Sequence, residues 1–271
     1  MPMNVTQNSE LPPLTVEVTS VRIVDGMRQA TRVPVVRELP FTVILNGREV
    51  LTTLCSPASL DFLVAGVLFS EGFIKSRADI TSLAVDAEKG IAQVTSCTQS
   101  EPHGQALRPL IASGGGKGAS GYNPALASAR VDSKLTITSG EVLALIEAFL
   151  KSSDVYAATH GVHNAAFCRP EGIIFFQEDI GRHNALDKVF GAALLQDIPT
   201  SDAIIITSGR ISSEILLKVA KRGVPILISK ASPTDLGVSL AARLNITLIR
   251  ATPKSGLLIF NGAERVVDNS K

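Results

Sequence analysis

The feature that most constrains this chain is the alternation of short apolar runs with helix-like segments in its second half. Three runs, AIIIT, PILIS and ITLIR, lie at residues 203–207, 225–229 and 246–250. Continuous apolar strands that alternate with helices are typical of a parallel sheet covered on both faces. The sequence therefore predicts an α/β domain with helices on both faces of its sheet, preceded by a buried strand at 172–177 and a helix at 185–195.

The first half of the chain has a different pattern. Alternating apolar and polar residues from Thr15 predict a strand, and the pair Asn46-Gly47 between two strand-like runs predicts a tight hairpin. Apolar residues at helical spacing predict a helix from about Leu60 that ends near Gly72. We therefore expect three regions: an N-terminal α+β domain at 1–112, a glycine-rich interdomain loop at 113–124 and an α/β domain at 125–271.

Composition excludes several classes of partner. Lys and Arg number 26 against 25 Asp and Glu in 271 residues, so no strong field attracts nucleic acid or an anionic membrane. The longest apolar stretch, residues 63–69, is too short to span a membrane, and the N-terminus lacks the features of a signal peptide. Three widely separated cysteines suit a reducing compartment. The sequence predicts a soluble, cytoplasmic protein with no nucleic-acid or membrane partner.

Hydroxyl and cationic side chains follow each of the three apolar runs, in loops at 207–213, 229–234 and 250–256. Ligands of such sheets bind beyond the carboxyl ends of the strands, where helix N-termini favour anions. We therefore predict a phosphate-binding site whose residues in the first two loops are Ser208, Arg210, Ser232 and Thr234. The alternative is that Ser212 and Ser232 are ordinary helix N-caps and that the cations are solvated.

The densest polar cluster is QEDIGRHNALDK at 177–188, directly after an apolar strand. We predict functional roles for Asp179, Arg182 and His183. If a helix begins near Gly181, His183 lies one turn before Asp187, which could then raise the pKa of the imidazole. In the alternative interpretation Asp179 is an N-cap, and the cations of the cluster, including Lys188, form solvated ion pairs.

A zinc site is not predicted. His160, His163 and Cys168 lie upstream of His183, but their spacing matches no known set of zinc ligands, and no Pro-Cys-x-x-Cys pair is present. We expect His163 to be a hydrogen-bonded neighbour of His183.

The glycine-rich run SGGGKGAS at 113–120 matches neither of two common phosphate-binding patterns. It contains G-x-G-x-x-G, but the following YNPALASAR has an early proline and no long apolar face, so it does not open a dinucleotide-binding helix. It lacks the Ser or Thr of a P-loop after its lysine. Composition alone predicts a flexible linker.

Several motifs together resemble the formate dehydrogenase accessory proteins, the FdhD family. In family order they are ILNGREV, SPASLDFLVAGVLFSEGFI, HNAAF, EDIGRHNALDKVFG, TSGRISSEI, SKASPT and NITLI. The resemblance implies a core similar to that of cytidine deaminases and a homodimer. It also implies transfer of sulfur from a cysteine desulfurase to the molybdenum cofactor, in its bis-guanine-dinucleotide form, for formate dehydrogenase apoenzyme. The family segment that contacts the cofactor falls on Ala251, Thr252, Pro253, Lys254, Ser255 and Gly256.

The same resemblance identifies a departure in the glycine-rich run. The family carries a Cys-Gly-x-Cys-Gly loop whose cysteine forms a persulfide, and Gly115 and Gly118 fall on its two cysteine positions. Glycine has no thiolate to accept sulfur. Two functions therefore remain open, a sulfurtransferase by family and a non-enzymatic cofactor chaperone or scaffold. A hydrolase on the deaminase-like core is a third, but the chain lacks the metal ligands for it.

Overall fold

A computed structural model describes residues 4–7, 10–98 and 130–268. Its strands, numbered along the chain, are β1 (Asn4–Gln7), β2 (Thr15–Val24), β3 (Met27–Val36), β4 (Leu39–Leu45), β5 (Arg48–Cys55), β6 (Ile80–Asp86), β7 (Ile91–Ser96), β8 (Ile137–Thr138), β9 (His163–Arg169), β10 (Gly172–Asp179), β11 (Ile204–Thr207), β12 (Ile226–Ser229), β13 (Thr247–Thr252), β14 (Gly256–Asn261) and β15 (Val266–Val267). Its α-helices are α1 (Leu60–Ser70), α2 (Ser139–Lys151), α3 (Asp154–Thr159), α4 (Arg182–Leu195), α5 (Ser213–Lys221) and α6 (Asp235–Leu244).

The N-terminal part is built on a five-stranded sheet with the order β1-β6-β7-β4-β5. The hairpin predicted at Asn46-Gly47 is confirmed: both residues have positive φ, 49° and 79°, as a tight primed turn between β4 and β5 requires. The predicted helix is α1, and it follows β5 directly. Its apolar side chains pack in one buried cluster with those of β4 to β7.

The C-terminal part is built on a six-stranded sheet with the order β10-β9-β11-β12-β13-β14. Its centre, β11 to β13, is parallel as predicted, whereas β9 and β14 run antiparallel to their central neighbours. One face is covered by α4, α5 and α6 and the other by α2, each through its own apolar cluster. The predicted α/β class with helices on both faces is confirmed.

One strand differs from its prediction. The run at 172–177 was expected to be a buried strand, but β10 lies at the sheet edge and most of its side chains are only half-buried. Ile174 is 49% exposed. An edge strand has a neighbour on one side only, so apolar composition alone overestimates its burial.

Helices α1 and α4 connect the two parts by crossing at very short distance. A Cβ atom at Gly66 would lie 1.9 Å from the backbone oxygen of Asp187, and one at Gly191 would lie 1.8 Å from that of Phe62. Only glycine permits this approach. As a result α4 is buried almost all round, between α1 and the C-terminal sheet.

Strands β2 and β3 form a separate hairpin whose side chains are largely exposed. Among the described residues, no helix is long and apolar enough to cross a membrane. The glycine-rich loop at 113–124, with Gly115 and Gly118, lies outside the described residues, so the division into domains at that loop stays a prediction.

Candidate functional site at the carboxyl ends of the central strands

The three predicted loops lie side by side, because they follow adjacent parallel strands. Ser208 comes directly after β11, and its backbone N–H donates to the carbonyl of Asn164 at 2.9 Å. The hydroxyl oxygen of Ser208 also accepts the backbone N–H of Asn164, at 2.9 Å. Arg210 is exposed in the same loop. The first loop is thus fixed to the start of β9, and the exposed guanidinium of Arg210 follows two residues after Ser208.

Two helices begin at this edge of the sheet with capped N-termini. Ser212 caps α5, as the alternative interpretation expected, and Thr234 caps α6 by accepting the N–H of Gly237 at 3.1 Å. Ser232 was the other expected cap, but its hydroxyl instead lies 3.3 Å from a guanidinium nitrogen of Arg250. The helix begins later than expected because Thr234 is still extended, with φ −86° and ψ 161°.

The segment Ala251–Gly256 forms the end of β13 and the turn into β14. Ala251 is fully buried in the apolar cluster under α2, so its side chain does not face the strand ends. The hydroxyls of Thr252 and Ser255 are 2.7 Å apart across the turn. Lys254 is exposed at the tip with Pro253, and Gly256 closes the turn at φ 68°.

Asp179 is enclosed rather than open to a ligand. Its side chain is 0% exposed and its two oxygens accept the N–H groups of Ser56 at 3.0 Å and Gly181 at 2.9 Å, and the amide of Asn184 at 3.0 Å. Lys188, also 0% exposed, lies 2.7 Å from the same carboxylate. The alternative interpretation is wrong on two counts: Asp179 is not the helix N-cap, which is Gly181, and Lys188 is not solvated.

The buried Asp179–Lys188 pair also holds the two parts of the molecule together. The ammonium of Lys188 donates to the carbonyl of Ser56 at 3.1 Å, and the hydroxyl of Ser56 accepts the N–H of Ile180 at 3.1 Å. The amide of Asn184 donates to the carbonyl of Leu54 at 2.9 Å. The end of β5 is therefore bound to the turn that presents Arg182 and His183.

His183 and Asp187 do not form the predicted pair. The carboxylate of Asp187 accepts the hydroxyl of Ser70 at 2.7 Å and the ammonium of Lys218 at 2.5 Å, whereas His183 Nε2 lies 3.4 Å from Glu214 Oε2. Burial, together with Lys218 and Arg182, lowers the pKa of His183 to about 4. The predicted rise in its pKa is wrong, because desolvation and two cations outweigh the carboxylate.

Arg182 packs flat over the first loop. A Cβ atom at Gly209 would lie 3.0 Å from Cδ and 3.1 Å from Cβ of Arg182, so a larger residue there would require this side chain to shift. The Nε of Arg182 is buried and makes no hydrogen bond to any described residue. Within the described ranges its guanidinium also pairs with no carboxylate.

Comparison with known proteins shows the family of this chain. Residues 36–267 match the model of the FdhD/NarQ family. The chain belongs to this family. Two sulfur carrier proteins FdhD, from Staphylococcus aureus strains MRSA252 and Newman, are each 40% identical over 256 residues, covering 93% of this chain and 96% of theirs. The crystal structure of a Desulfotalea psychrophila protein assigned as a formate dehydrogenase accessory protein matches with a TM-score of 0.79 and 29% identity, covering 94% of this chain and 100% of that one.

The cysteines of this FdhD/NarQ family member differ sharply in exposure. Cys55 and Cys168 are buried, and burial raises the pKa of each thiol to about 12. Cys97 is exposed, with its sulfur near the carbonyls of Ala78 and Asp79. Thiolate is the form that accepts sulfur, so the two buried thiols are unsuited to that chemistry.

His163 was not among the predicted residues of this edge of the sheet, whereas Lys230 is the cation of the second predicted loop. His163 was expected to bond to His183, but its Nδ1 lies 3.3 Å from the hydroxyl of Ser208. Lys230, at the end of β12, lies over the ring of Tyr156 at 4.4 Å, and its ammonium is 3.4 Å from the phenolic oxygen. The signal for both was their position: each is a polar residue at the boundary of an apolar strand, on the edge where the loops meet.

Proposed function

We propose that this chain binds the molybdenum cofactor, in its bis-guanine-dinucleotide form, at the carboxyl ends of β11, β12 and β13, and serves the maturation of formate dehydrogenase. The observation that carries the proposal is the convergence of unpaired cations on these strand ends. Arg182 has no carboxylate partner among the described residues, and Arg210 and Lys254 are exposed on neighbouring loops. Phosphate groups are the part of this cofactor that such cations would hold.

The chemistry of the donors fits a phosphate ligand. The N-termini of α5 and α6 begin beside the cations, and their positive dipole ends favour an anion. The hydroxyl of Ser232 lies on one of these loops and can donate to a phosphate oxygen, whereas the hydroxyl of Ser208 is engaged by His163 and Asn164. Asp179 does not belong to this ligand-facing set, because its carboxylate is used internally; it positions the turn that carries Arg182.

The names of its relatives support a role in the supply of sulfur. The Staphylococcus aureus relatives are sulfur carrier proteins, and the Desulfotalea psychrophila protein is assigned as a formate dehydrogenase accessory protein. By analogy we propose a cysteine desulfurase and formate dehydrogenase apoenzyme as the partners. In this form of the proposal a thiol of the chain accepts the sulfur.

A specific observation favours a second candidate, a cofactor chaperone or scaffold without sulfur transfer. Two of the three cysteines of the chain are buried with pKa values raised to about 12, and the family resemblance implies that Gly115 and Gly118 fall on the family cysteine positions. Only Cys97 is exposed. This candidate keeps the phosphate-binding strand ends and needs no thiolate.

Titration calorimetry with guanosine diphosphate tests cofactor binding. Arg210→Ala should weaken binding roughly tenfold, because a charge-assisted contact to phosphate is worth about 1.5–3 kcal/mol. Lys134→Ala is the matched control: it removes an exposed cation remote from the strand ends and should change the affinity little. Equal losses in both variants, or no binding by the wild type, would contradict the proposal.

Loading with labelled sulfur separates the two candidates. If the chain carries sulfur through its exposed thiol, a cysteine desulfurase supplied with labelled cysteine should label the wild type. The Cys97→Ser variant should then remain unlabelled. Cys168→Ser is the control for general damage, since that thiol is buried. Absence of label from a wild type that binds guanosine diphosphate supports the chaperone and excludes the sulfur carrier.

A further inference from the structure

The hydrogen bonds at the start of β9 involve one ring nitrogen of His163. The oxygen of Ser208 accepts the backbone N–H of Asn164 at 2.9 Å, and its own hydroxyl proton can still be donated. Nδ1 of His163 lies 3.3 Å from that oxygen, so the hydroxyl can donate to it when the neutral ring carries its proton on Nε2. Nε2 is the ring nitrogen that this contact leaves available to a ligand.

Charged groups from three elements face this imidazole. They are Arg182 of α4, Lys230 beyond β12 and Asp179 of β10, and His183 is a further neighbour. Burial and the two cations lower the pKa of His163, and Asp179 opposes them only in part because Lys188 already pairs with its carboxylate. The ring is therefore neutral at pH 7 and half-buried.

Hydrogen-bonding capacity is left unused around the ring. Nε of Arg182, one of the cations that lower the pKa of His163, is buried without a hydrogen-bond partner among the described residues. Neither Arg182 nor Lys230 pairs with a carboxylate in the described ranges. Two unpaired cations beside a neutral donor make a place where an anion is stabilised.

We propose that His163 is a ligand-binding residue of this site, which donates its Nε2–H to a phosphate oxygen of the bound dinucleotide and gains a proton as that phosphate binds. This inference rests on the proposed function and adds that binding of the ligand is coupled to protonation of His163. Burial and the charges of Arg182 and Lys230 lower the pKa of the ring, and a bound phosphate offsets the part that is due to the two cations.

The proton balance is simple. The proton comes from solvent and is added at Nδ1, so that the ring becomes a cation with both nitrogens protonated. Ser208 accommodates the change, because its oxygen has a second lone pair and can accept Nδ1–H while still accepting the N–H of Asn164. Because the imidazole binds its proton more tightly in the complex than in the free protein, the affinity for the ligand rises as pH falls.

The test measures the affinity for diguanosine pyrophosphate between about pH 8 and about pH 5.5, the interval in which imidazoles titrate. Each phosphate of this dinucleotide is bonded to a nucleoside and, through the bridging oxygen, to the other phosphate, so it keeps only one strongly acidic hydroxyl and the phosphates do not titrate in that interval. The wild type should bind about tenfold more tightly at the acidic end, within the limit of tenfold per pH unit for one linked proton. His163→Gln keeps an N–H donor that does not titrate, and should bind with an affinity that is independent of pH.

His160→Gln is the control variant. It removes an exposed imidazole at the end of α3 and should keep the slope, because His160 is not among the groups that shift the pKa of His163. A wild type that binds with a flat pH profile, or a His163→Gln variant with an unchanged slope, overturns this inference and leaves the proposed function standing. A wild type that does not bind the dinucleotide at any pH overturns both. Ring nitrogen chemical shifts of the free protein check the Nε2–H tautomer independently.

Discussion

At the scale of residues, the turn at 179–188 combines two kinds of polar side chain. Asp179 and Lys188 are fully buried, form an ion pair with each other and both bond to the backbone of Ser56. Arg182 and His183 are half-buried beside the strand ends. The buried carboxylate of Asp179 accepts the N–H of Gly181 at 2.9 Å, directly before Arg182 and His183. The buried pair therefore holds these two residues in place.

Removal of one member of the buried pair should be costly. Lys188→Met leaves Asp179 as an uncompensated buried carboxylate and should lower the free energy of unfolding by about 3–5 kcal/mol, measured by denaturant titration. The double variant Asp179→Asn with Lys188→Met should lose less than the single one, since no charge is then left buried.

Lys151→Met is the matched control. It breaks an ion pair with Glu147 in which both side chains are largely exposed, 74% and 58%, and should leave stability nearly unchanged. If Lys188→Met were no worse than Lys151→Met, the buried pair would not hold the turn.

At the scale of elements, the crossing of α1 and α4 joins the two sheets. The helices approach so closely that backbone contacts backbone at Gly66 and Gly191. Both helices could be predicted from apolar spacing, but their contact could not, since it joins residues more than a hundred positions apart in the chain. Glycine inside a helix is unfavourable by itself, and here the close packing offsets that cost.

Gly191→Ala tests this contact. The added methyl group would lie 1.8 Å from the carbonyl oxygen of Phe62, so the helices must separate. We expect a loss of at least the roughly 1–3 kcal/mol typical of overpacking, despite the better helix propensity of alanine. Ala144→Ser adds one atom on the exposed side of α2 and should shift stability by less than about 0.5 kcal/mol. A rise in thermal midpoint for Gly191→Ala would contradict the close crossing.

At the scale of the whole molecule, local patterns predicted the central sheet and the loops at its edge. The apolar runs that became β11, β12 and β13 are continuous because both faces of these strands are buried. Of the antiparallel hairpin of β9 and β10, the strand that became β10 was predicted and β9 was not, since HNAAF mixes polar and apolar residues without regular alternation. The enclosure of Asp179 could not be predicted, because its partner Ser56 is distant in sequence.

The most direct test of the central claim is a crystal structure of this protein with diguanosine pyrophosphate. The account predicts phosphate oxygens within about 3 Å of donors on the loops after β11, β12 and β13 and of Arg182 and His163 beside those loops. It also predicts that the Asp179–Lys188 pair stays intact and makes no contact with the ligand. A dinucleotide bound elsewhere, for instance on the exposed β2–β3 hairpin, with these strand ends empty, would contradict it.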